Sequence, residues 1–152
     1  MRVHVLASGA MAGRYGMSFA KGLIERGDYE EAIEAATKAI ADGDAGPEPL
    51  FDRATAYELV ERYAEAVTDF ELAIEKNNAE KEIDPFMLDD AYFSALVAAA
   101  QKEDVAKGVA RLERYKQLLP NGAHVAEAGD WQKRLRGELP SLLDKTKEIG
   151  AS

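Results

Sequence analysis

Two stretches of this sequence repeat each other with a 34-residue period. Residues 27–33 read Gly-Asp-Tyr-Glu-Glu-Ala-Ile, and residues 61–67 read Glu-Arg-Tyr-Ala-Glu-Ala-Val. Four pairs of residues share this register: Tyr29 and Tyr63, Ala32 and Ala66, Ala36 and Phe70, and Ala39 and Ala73. A fixed period of this length is typical of solenoid proteins, in which each repeat buries its apolar face against its neighbours. The period therefore predicts stacked units that share a continuous core.

Each copy has the pattern of two amphipathic helices joined by a turn, since apolar residues recur at helical spacing between Gly- and Pro-containing breaks. The predicted helices are residues 12–26, 29–42, 47–60, 63–77, 85–102 and 104–119. Ala, Leu, Glu, Lys and Arg are common in this chain, and all of them favour helix. We therefore expect an all-α fold.

A third, more degenerate copy is displaced along the chain. Val105 follows Tyr63 by one period plus eight further residues. We assign the extra residues to 81–88, where Asp84 is a typical N-cap and Pro85 a typical first helical residue. Other residues of this copy at equivalent places are Gly108, Leu112, Tyr115 and Pro120.

The chain is expected to have three parts. Residues 1–12 form a flexible N-terminal segment, residues 13–46, 47–80 and 89–122 form three helix pairs with 81–88 inserted, and residues 123–152 form a capping helix and tail. The last part carries the apolar residues Val125, Trp131, Leu135 and Leu139. We expect Trp131 and the two leucines to pack near Leu112 and Tyr115, and to cover the last repeat as terminal repeats commonly require.

The period, the Gly-Asp-Tyr-Glu-Glu-Ala-Ile string and the spacing of the alanines resemble the tetratricopeptide repeat (TPR). The resemblance covers about residues 13–122 and implies a right-handed α-solenoid of about three TPR helix pairs with a C-terminal capping helix. Small residues then allow close helix approach, and aromatic residues fill the spaces between pairs. The small residues are Ala20, Ala32, Ala54, Ala66 and Ala73, and the aromatic ones are Tyr29, Tyr57, Tyr63 and Phe70. In the third copy, Gly108 is expected to leave a gap where the family usually has Ala.

In TPR proteins the first helix of each pair lines the concave face, so the resemblance implies which side chains meet a partner. The first row of this groove holds Met17, Phe51 and Phe93, the second Lys21, Thr55 and Val97, and the third Ile24, Glu58 and Ala100. Asp52 and Asp90 lie beside the first row. Met17, Phe51 and Phe93 are expected to form an exposed apolar stripe, which usually marks an interface. The alternative is that this chain's own N-terminal segment, C-terminal tail or third-repeat helix covers it.

One TPR subclass clamps the C-terminal carboxylate of chaperone tails with basic and Asn side chains. The corresponding positions here hold Met17, Lys21, Asp52, Asp90 and Ser94, of which only Lys21 is basic. Asp52 and Asp90 would repel a carboxylate. The resemblance therefore implies a groove for an apolar or basic-amphipathic peptide or helix.

The expected function is that of an adaptor or scaffold that binds one protein partner. One alternative is a self-assembling structural protein whose groove receives another copy, which would make it a homo-oligomer. Another alternative is a regulatory TPR domain of a larger protein.

Composition excludes several other functions. The net charge of −9 and the absence of cysteine argue against nucleic-acid binding and thiolate metal sites. The two histidines, His4 and His124, lie near opposite ends of the sequence, and no nucleophile elbow or phosphate-binding loop is present, so we expect no enzyme, no metal and no cofactor. No apolar run reaches the roughly 20 residues of a membrane span, and the one stretch similar to a signal peptide, residues 1–10, is interrupted by His4. We expect a cytoplasmic protein without membrane insertion.

Overall fold

A computed structural model describes residues 18–139. In this range the chain forms seven α-helices and no strand. They are α1 (Phe19–Glu25), α2 (Tyr29–Ala41), α3 (Pro47–Leu59), α4 (Tyr63–Glu80), α5 (Pro85–Lys102), α6 (Val105–Leu118) and α7 (Val125–Leu135). The all-α prediction is confirmed. The predicted N-terminal segment 1–12, the first residues of the first helix and the tail beyond residue 139 lie outside the described residues.

The helix starts follow from local chemistry. Ser18 and Asp104 cap α1 and α6, and the side-chain oxygen of each accepts a hydrogen bond from the backbone N–H three residues later, at 3.0 and 2.9 Å. Pro47 and Pro85 are the first residues of α3 and α5, as predicted. Proline suits this position because the first N–H groups of a helix have no partner within the helix.

The turns within the helix pairs repeat one backbone hydrogen bond at the sequence period. The N–H of Gly27 donates to the carbonyl three residues earlier at 3.0 Å, and Glu61 makes the same bond at 2.9 Å, one period later. Glu103 makes it at 3.4 Å, one period and eight residues further along the chain. The turns of the second and third pairs are therefore separated by one period plus eight residues.

The inserted segment is held by a side chain that the sequence analysis did not name. The buried amide of Asn77 donates to the carbonyl of Ile83 and accepts from its N–H, both at 2.8 Å. The α4 helix ends at Glu80, and the residue that follows, Lys81, adopts a left-handed conformation with φ of 53°. These two features turn the chain back so that α5 begins at Pro85.

The chain divides into two compact units, with the boundary inside α5 between Ala95 and Leu96. In the first unit the five alanines predicted at close helix contacts are all buried: Ala20, Ala32, Ala54, Ala66 and Ala73. Phe70 is fully buried, whereas the three tyrosines predicted beside it, Tyr29, Tyr57 and Tyr63, are half-buried. The small residues therefore set the helix spacing of this unit.

In the second unit α7 packs on α6. The backbone N–H of His124 donates to the hydroxyl of the buried Tyr115 at 3.0 Å. The residues of α7 that are buried are Ala128 and Gln132, whereas Trp131 is half-buried, with the Arg134 guanidinium 5.4 Å from its ring. The terminal helix thus lies near Tyr115 as expected. The predicted Leu135 reaches Gly108 of α6, whereas the buried Ala128 and Gln132 were not identified by the apolar pattern.

The prediction of a gap at Gly108 is wrong. A Cβ atom on Gly108 would lie 2.9 Å from the carbonyl oxygen of Ala100 and 3.0 Å from Cδ1 of Leu135. Both distances are shorter than ordinary contacts, so the helices approach here more closely than an Ala would allow. The missing methyl group leaves no space because Ala100 and Leu135 occupy it.

Candidate partner-binding face

The first helices of consecutive pairs lie side by side in the first unit. The Ser18 hydroxyl donates to Oδ2 of Asp52 at 2.5 Å, which joins the start of α1 to α3. The Ser94 hydroxyl donates to Oε2 of Glu58 at 3.3 Å, which joins α5 to α3. We call the surface formed by α1, α3 and the part of α5 up to Ala95 the first-helix face.

The predicted groove residues differ in their exposure. Lys21 and Asp90 are exposed, Ile24, Phe51, Thr55 and Glu58 are half-buried, and Asp52 and Phe93 are buried. Met17 lies outside the described residues. Val97 is half-buried and Ala100 is buried, and both belong to the second unit.

The expected apolar stripe is not exposed at Phe93, whose side chain is only 6% accessible. Phe93 follows the fully buried Tyr92, so α5 buries two adjacent aromatic residues and its buried face is wider than one stripe. The ring of Phe51 packs edge-on against the buried Phe70, with ring centroids 5.7 Å apart. Ile24 packs against a buried cluster that includes Leu23. The prediction that Phe93 is an exposed contact residue is therefore wrong.

The carboxyl group of Asp52 is the most buried acid of the first-helix face. Burial raises its pKa, while the hydrogen bond from Ser18 and the positive charge of Lys21 act in the opposite direction. A buried carboxylate is costly unless hydrogen bonds or a cation compensate it. The hydrogen-bond donor here is a neutral hydroxyl, so it stabilises the carboxylate form of Asp52 without cancelling its charge.

The pKa values of two further carboxyl groups of α3 are also raised. Burial raises the pKa of Glu58, although Ser94 donates to it. Burial also raises the pKa of Glu48, and the negative charges of Asp52 and Glu82 raise it further. The sequence predicted an acidic flank of the groove that includes Glu48, Asp52 and Glu58, and Glu48 lies one helical turn before Asp52. Three partly buried acids therefore line α3, and Lys21 is the cation whose charge acts on two of them.

A concave region lies between α3 and α4. It has a volume of about 320 Å³ and is lined by Arg53, Tyr57, Ala64, Glu65, Thr68 and Asp69. Arg53 donates two hydrogen bonds to Asp69, at 2.7 and 2.9 Å, and Glu65 accepts one from Arg62 at 2.6 Å. Because these charges are paired within the chain, this region offers less charge to a partner than the first-helix face does.

The described residues contain no membrane-length apolar helix and no cluster of three or more His, Cys, Asp or Glu side chains that could hold a metal ion. The first-helix face can bind a partner electrostatically. Its carboxylates have neutral hydrogen-bond donors, and they can form ion pairs with a cationic group of the partner. Of the two phenylalanines of the predicted stripe, Phe93 is buried and Phe51 is half-buried.

No protein-family model matches this sequence, and no curated protein matches it. Solved structures do. The second TPR domain of the human RPAP3 protein, in complex with the HSP70 peptide SGPTIEEVD, is 21% identical, with a TM-score of 0.52 over 88% of this chain and 97% of that chain. The first TPR of Spaghetti (RPAP3), bound to the HSP90 peptide SRMEEVD, is 24% identical, with a TM-score of 0.49 over 80% of this chain and 88% of that chain.

The class of protein follows from the helix pairs, the periodic hydrogen bonds of their turns and the structural likeness to the second RPAP3 domain. The chain has the TPR fold, an α-solenoid of helix pairs, as the sequence pattern indicated.

Proposed function

We propose that this chain is a protein–protein interaction adaptor, and that its first-helix face binds an apolar or basic-amphipathic peptide or helix of a partner protein. It acts by binding, without a catalytic step. The observation that carries the proposal is the set of three partly buried carboxyl groups on α3, two of which, Asp52 and Glu58, accept hydrogen bonds from serine hydroxyls. These serine donors are neutral, so they do not cancel the charge of a carboxylate, and a cationic partner can pair with it.

The charge of the described part of the first unit supports a basic partner. Residues 18–95 contain twenty Asp and Glu and seven Lys and Arg, a net charge of −13. A partner with Lys or Arg residues gains from this potential, mainly through its association rate.

The human RPAP3 domain with the same fold is in complex with a peptide that ends in Glu-Glu-Val-Asp. The shared fold supports peptide binding by this chain, but the acids of its first-helix face would repel such an acidic end. We therefore propose the same kind of binding with a ligand of opposite charge.

A competition between designed peptides tests this proposal. The first probe is an end-blocked amphipathic peptide of leucine and lysine, about four helical turns long. The second is its twin with glutamate in place of lysine, and the third is SGPTIEEVD. Fluorescence anisotropy should give a Kd for the lysine peptide at least about ten-fold lower than for either acidic peptide, with the difference shrinking between about 0.05 M and 0.5 M salt. Equal or tighter binding of the acidic peptides contradicts the proposal.

Matched variants locate the binding to the face. Asp52→Asn and Glu58→Gln should each weaken binding of the lysine peptide by about three- to five-fold, because each removes one negative charge near the ligand. Glu34→Gln is the control, since Glu34 is exposed on α2 and its substitution removes the same charge elsewhere. An equal effect of all three substitutions would indicate attraction by net charge alone.

Self-association is the second candidate function. Residues 96–139 contain eight Lys and Arg and six Asp and Glu, a net charge of +2, so this part of one copy differs in sign from residues 18–95 of another. Light scattering at low and high salt tests it, and a salt-sensitive dimer or larger species would favour it over the adaptor.

A further inference from the structure

The first turn of α5 carries two adjacent apolar side chains that are open to water. Phe86 is 75% exposed, more than any other large apolar side chain in residues 18–139, and Met87 is 50% exposed. Adjacent exposed apolar residues usually mark an interaction site. Both belong to the eight-residue insertion, so the repeat pattern alone does not require them.

The helical register places this pair on the first-helix face. Phe86 lies four residues before Asp90 and seven before Phe93, which puts all three on one stripe of α5. Met87 lies seven residues before Ser94, whose hydroxyl contacts Glu58 of α3. Met87 is therefore on the side of α5 that faces α3.

The turn that carries the pair is well held. The backbone N–H of Phe86 donates to Oδ1 of Asp84 at 2.9 Å. The two hydrogen bonds between Asn77 and Ile83 fix the chain just before it. The exposed side chains thus extend from a defined helix start, which lowers the entropy lost when a partner binds.

The charge around the pair indicates the chemistry of the partner. Residues 80–90 contain five acidic residues and one basic residue, and four of the acids are exposed: Glu80, Glu82, Asp84 and Asp90. A helix with an apolar stripe flanked by Lys and Arg complements this arrangement. A second copy of this chain fits less well, because its net charge is −9.

We infer that Phe86 and Met87 form the apolar anchor of the partner-binding face, and that they contact the apolar stripe of a basic amphipathic helix from a different protein. This inference rests on the proposed function. The inserted segment then supplies the exposed apolar contact that the buried Phe93 does not. Lys and Arg residues of the partner helix pair with the carboxylates of residues 80–90 and of α3.

The test compares three variants with the leucine–lysine peptide as the probe. The double variant Phe86→Ala/Met87→Ala should raise the Kd by roughly ten-fold, since truncation of an interface anchor commonly has an effect of that size. Phe86→Leu/Met87→Leu keeps apolar side chains in place and should bind within about two-fold of the wild type. Leu72→Ala is the control, because Leu72 is 41% exposed on α4 and its truncation also removes exposed apolar surface. It should leave the Kd unchanged.

The outcomes separate this inference from the function on which it rests. If the wild type binds the lysine peptide and the double alanine variant binds equally well, the anchor is elsewhere and the inference is overturned, while the proposed function stands. If the wild type does not bind the peptide, the proposed function itself fails. If the wild type is a dimer by light scattering and the double alanine variant is a monomer, the pair contacts a second copy, which also overturns the inference.

Discussion

At the scale of single residues, two helical glycines of the second unit have opposite surroundings. A Cβ atom on Gly108 would meet the carbonyl oxygen of Ala100 at 2.9 Å, whereas a Cβ atom on Gly129 would meet nothing within 4 Å. A backbone oxygen cannot rotate away as a flexible side chain can. The first glycine therefore permits a close helix approach, and the second only adds conformational freedom to the unfolded chain.

Alanine substitutions at these glycines should change stability in opposite directions. Gly108→Ala should lower the free energy of unfolding by about 1–3 kcal/mol, because the methyl group forces α5, α6 and α7 apart. Gly129→Ala should raise it by up to about 1 kcal/mol through better helix propensity. Urea denaturation of the two variants measures both values. If Gly108→Ala is as stable as Gly129→Ala, the close approach at Gly108 does not exist.

Glu61 adopts a backbone conformation that suits glycine. Its φ is 62°, and the residue one period earlier, Gly27, has φ of 85° in the equivalent turn. A left-handed conformation costs a side-chain-bearing residue about 1–2 kcal/mol. Glu61→Gly should therefore raise the free energy of unfolding by about 0.5–1 kcal/mol after the entropy of glycine is included. The melting temperature measures this change, and Gly27→Ala should lower it. A lower melting temperature for Glu61→Gly contradicts the account of this turn.

At the scale of helices, α3 combines core packing with the charge of the proposed site. Its fully buried Ala54 and Ala56 pack in the core, and it also carries Glu48, Asp52 and Glu58. Burial raises the pKa of all three carboxyl groups, so the folded protein binds their protons more tightly than the unfolded chain does. Protonation of these groups as the pH falls therefore contributes stability, and deprotonation as the pH rises removes that contribution.

Partner binding should depend on pH with the opposite sign. A cationic partner stabilises the charged carboxylates, so its affinity is full above their raised pKa values and is lost as the pH falls through them. Binding of the lysine peptide should accordingly weaken as the pH falls below neutral, and it should do so at a higher pH than carboxyl groups with ordinary pKa values would require. Anisotropy titrations over this range, with Asp52→Asn/Glu58→Gln as the control, measure the effect. Equal pH dependence of wild type and control would show that these two groups are not the cause.

The helix order could be predicted from the sequence because the repeat period and the prolines are local signals. The starts predicted at residues 29, 47, 63 and 85 are the starts of α2, α3, α4 and α5. The burial of Phe93 and the close contact at Gly108 could not be predicted, because each depends on which neighbouring helix covers the position. Asn77 was missed for a similar reason: its partner, Ile83, lies in the insertion, which has no counterpart in the other repeats.

At the scale of the whole molecule, net charge is distributed unevenly along the chain. Residues 18–95 carry a net charge of −13, and residues 96–139 carry +2. The composition gives the total net charge of −9. The kind of partner that this charge favours depends on which acidic residues lie on the same surface. Hydrogen bonds from Ser18 and Ser94 to acids of α3 identify that surface as the first-helix face.

The central claim is that a basic amphipathic helix binds across the first-helix face, and the most direct test is to map the bound peptide by amide chemical shifts. A ¹⁵N-labelled sample titrated with the leucine–lysine peptide should show its largest shift changes at Lys21, Thr55, Phe86 and Asp90. Exposed positions on α2 and α4, such as Glu34 and Leu72, should change little, because they lie on the second helices of the pairs. Largest changes at α2 and α4, or at the acid and arginine pairs between α3 and α4, would contradict the claim.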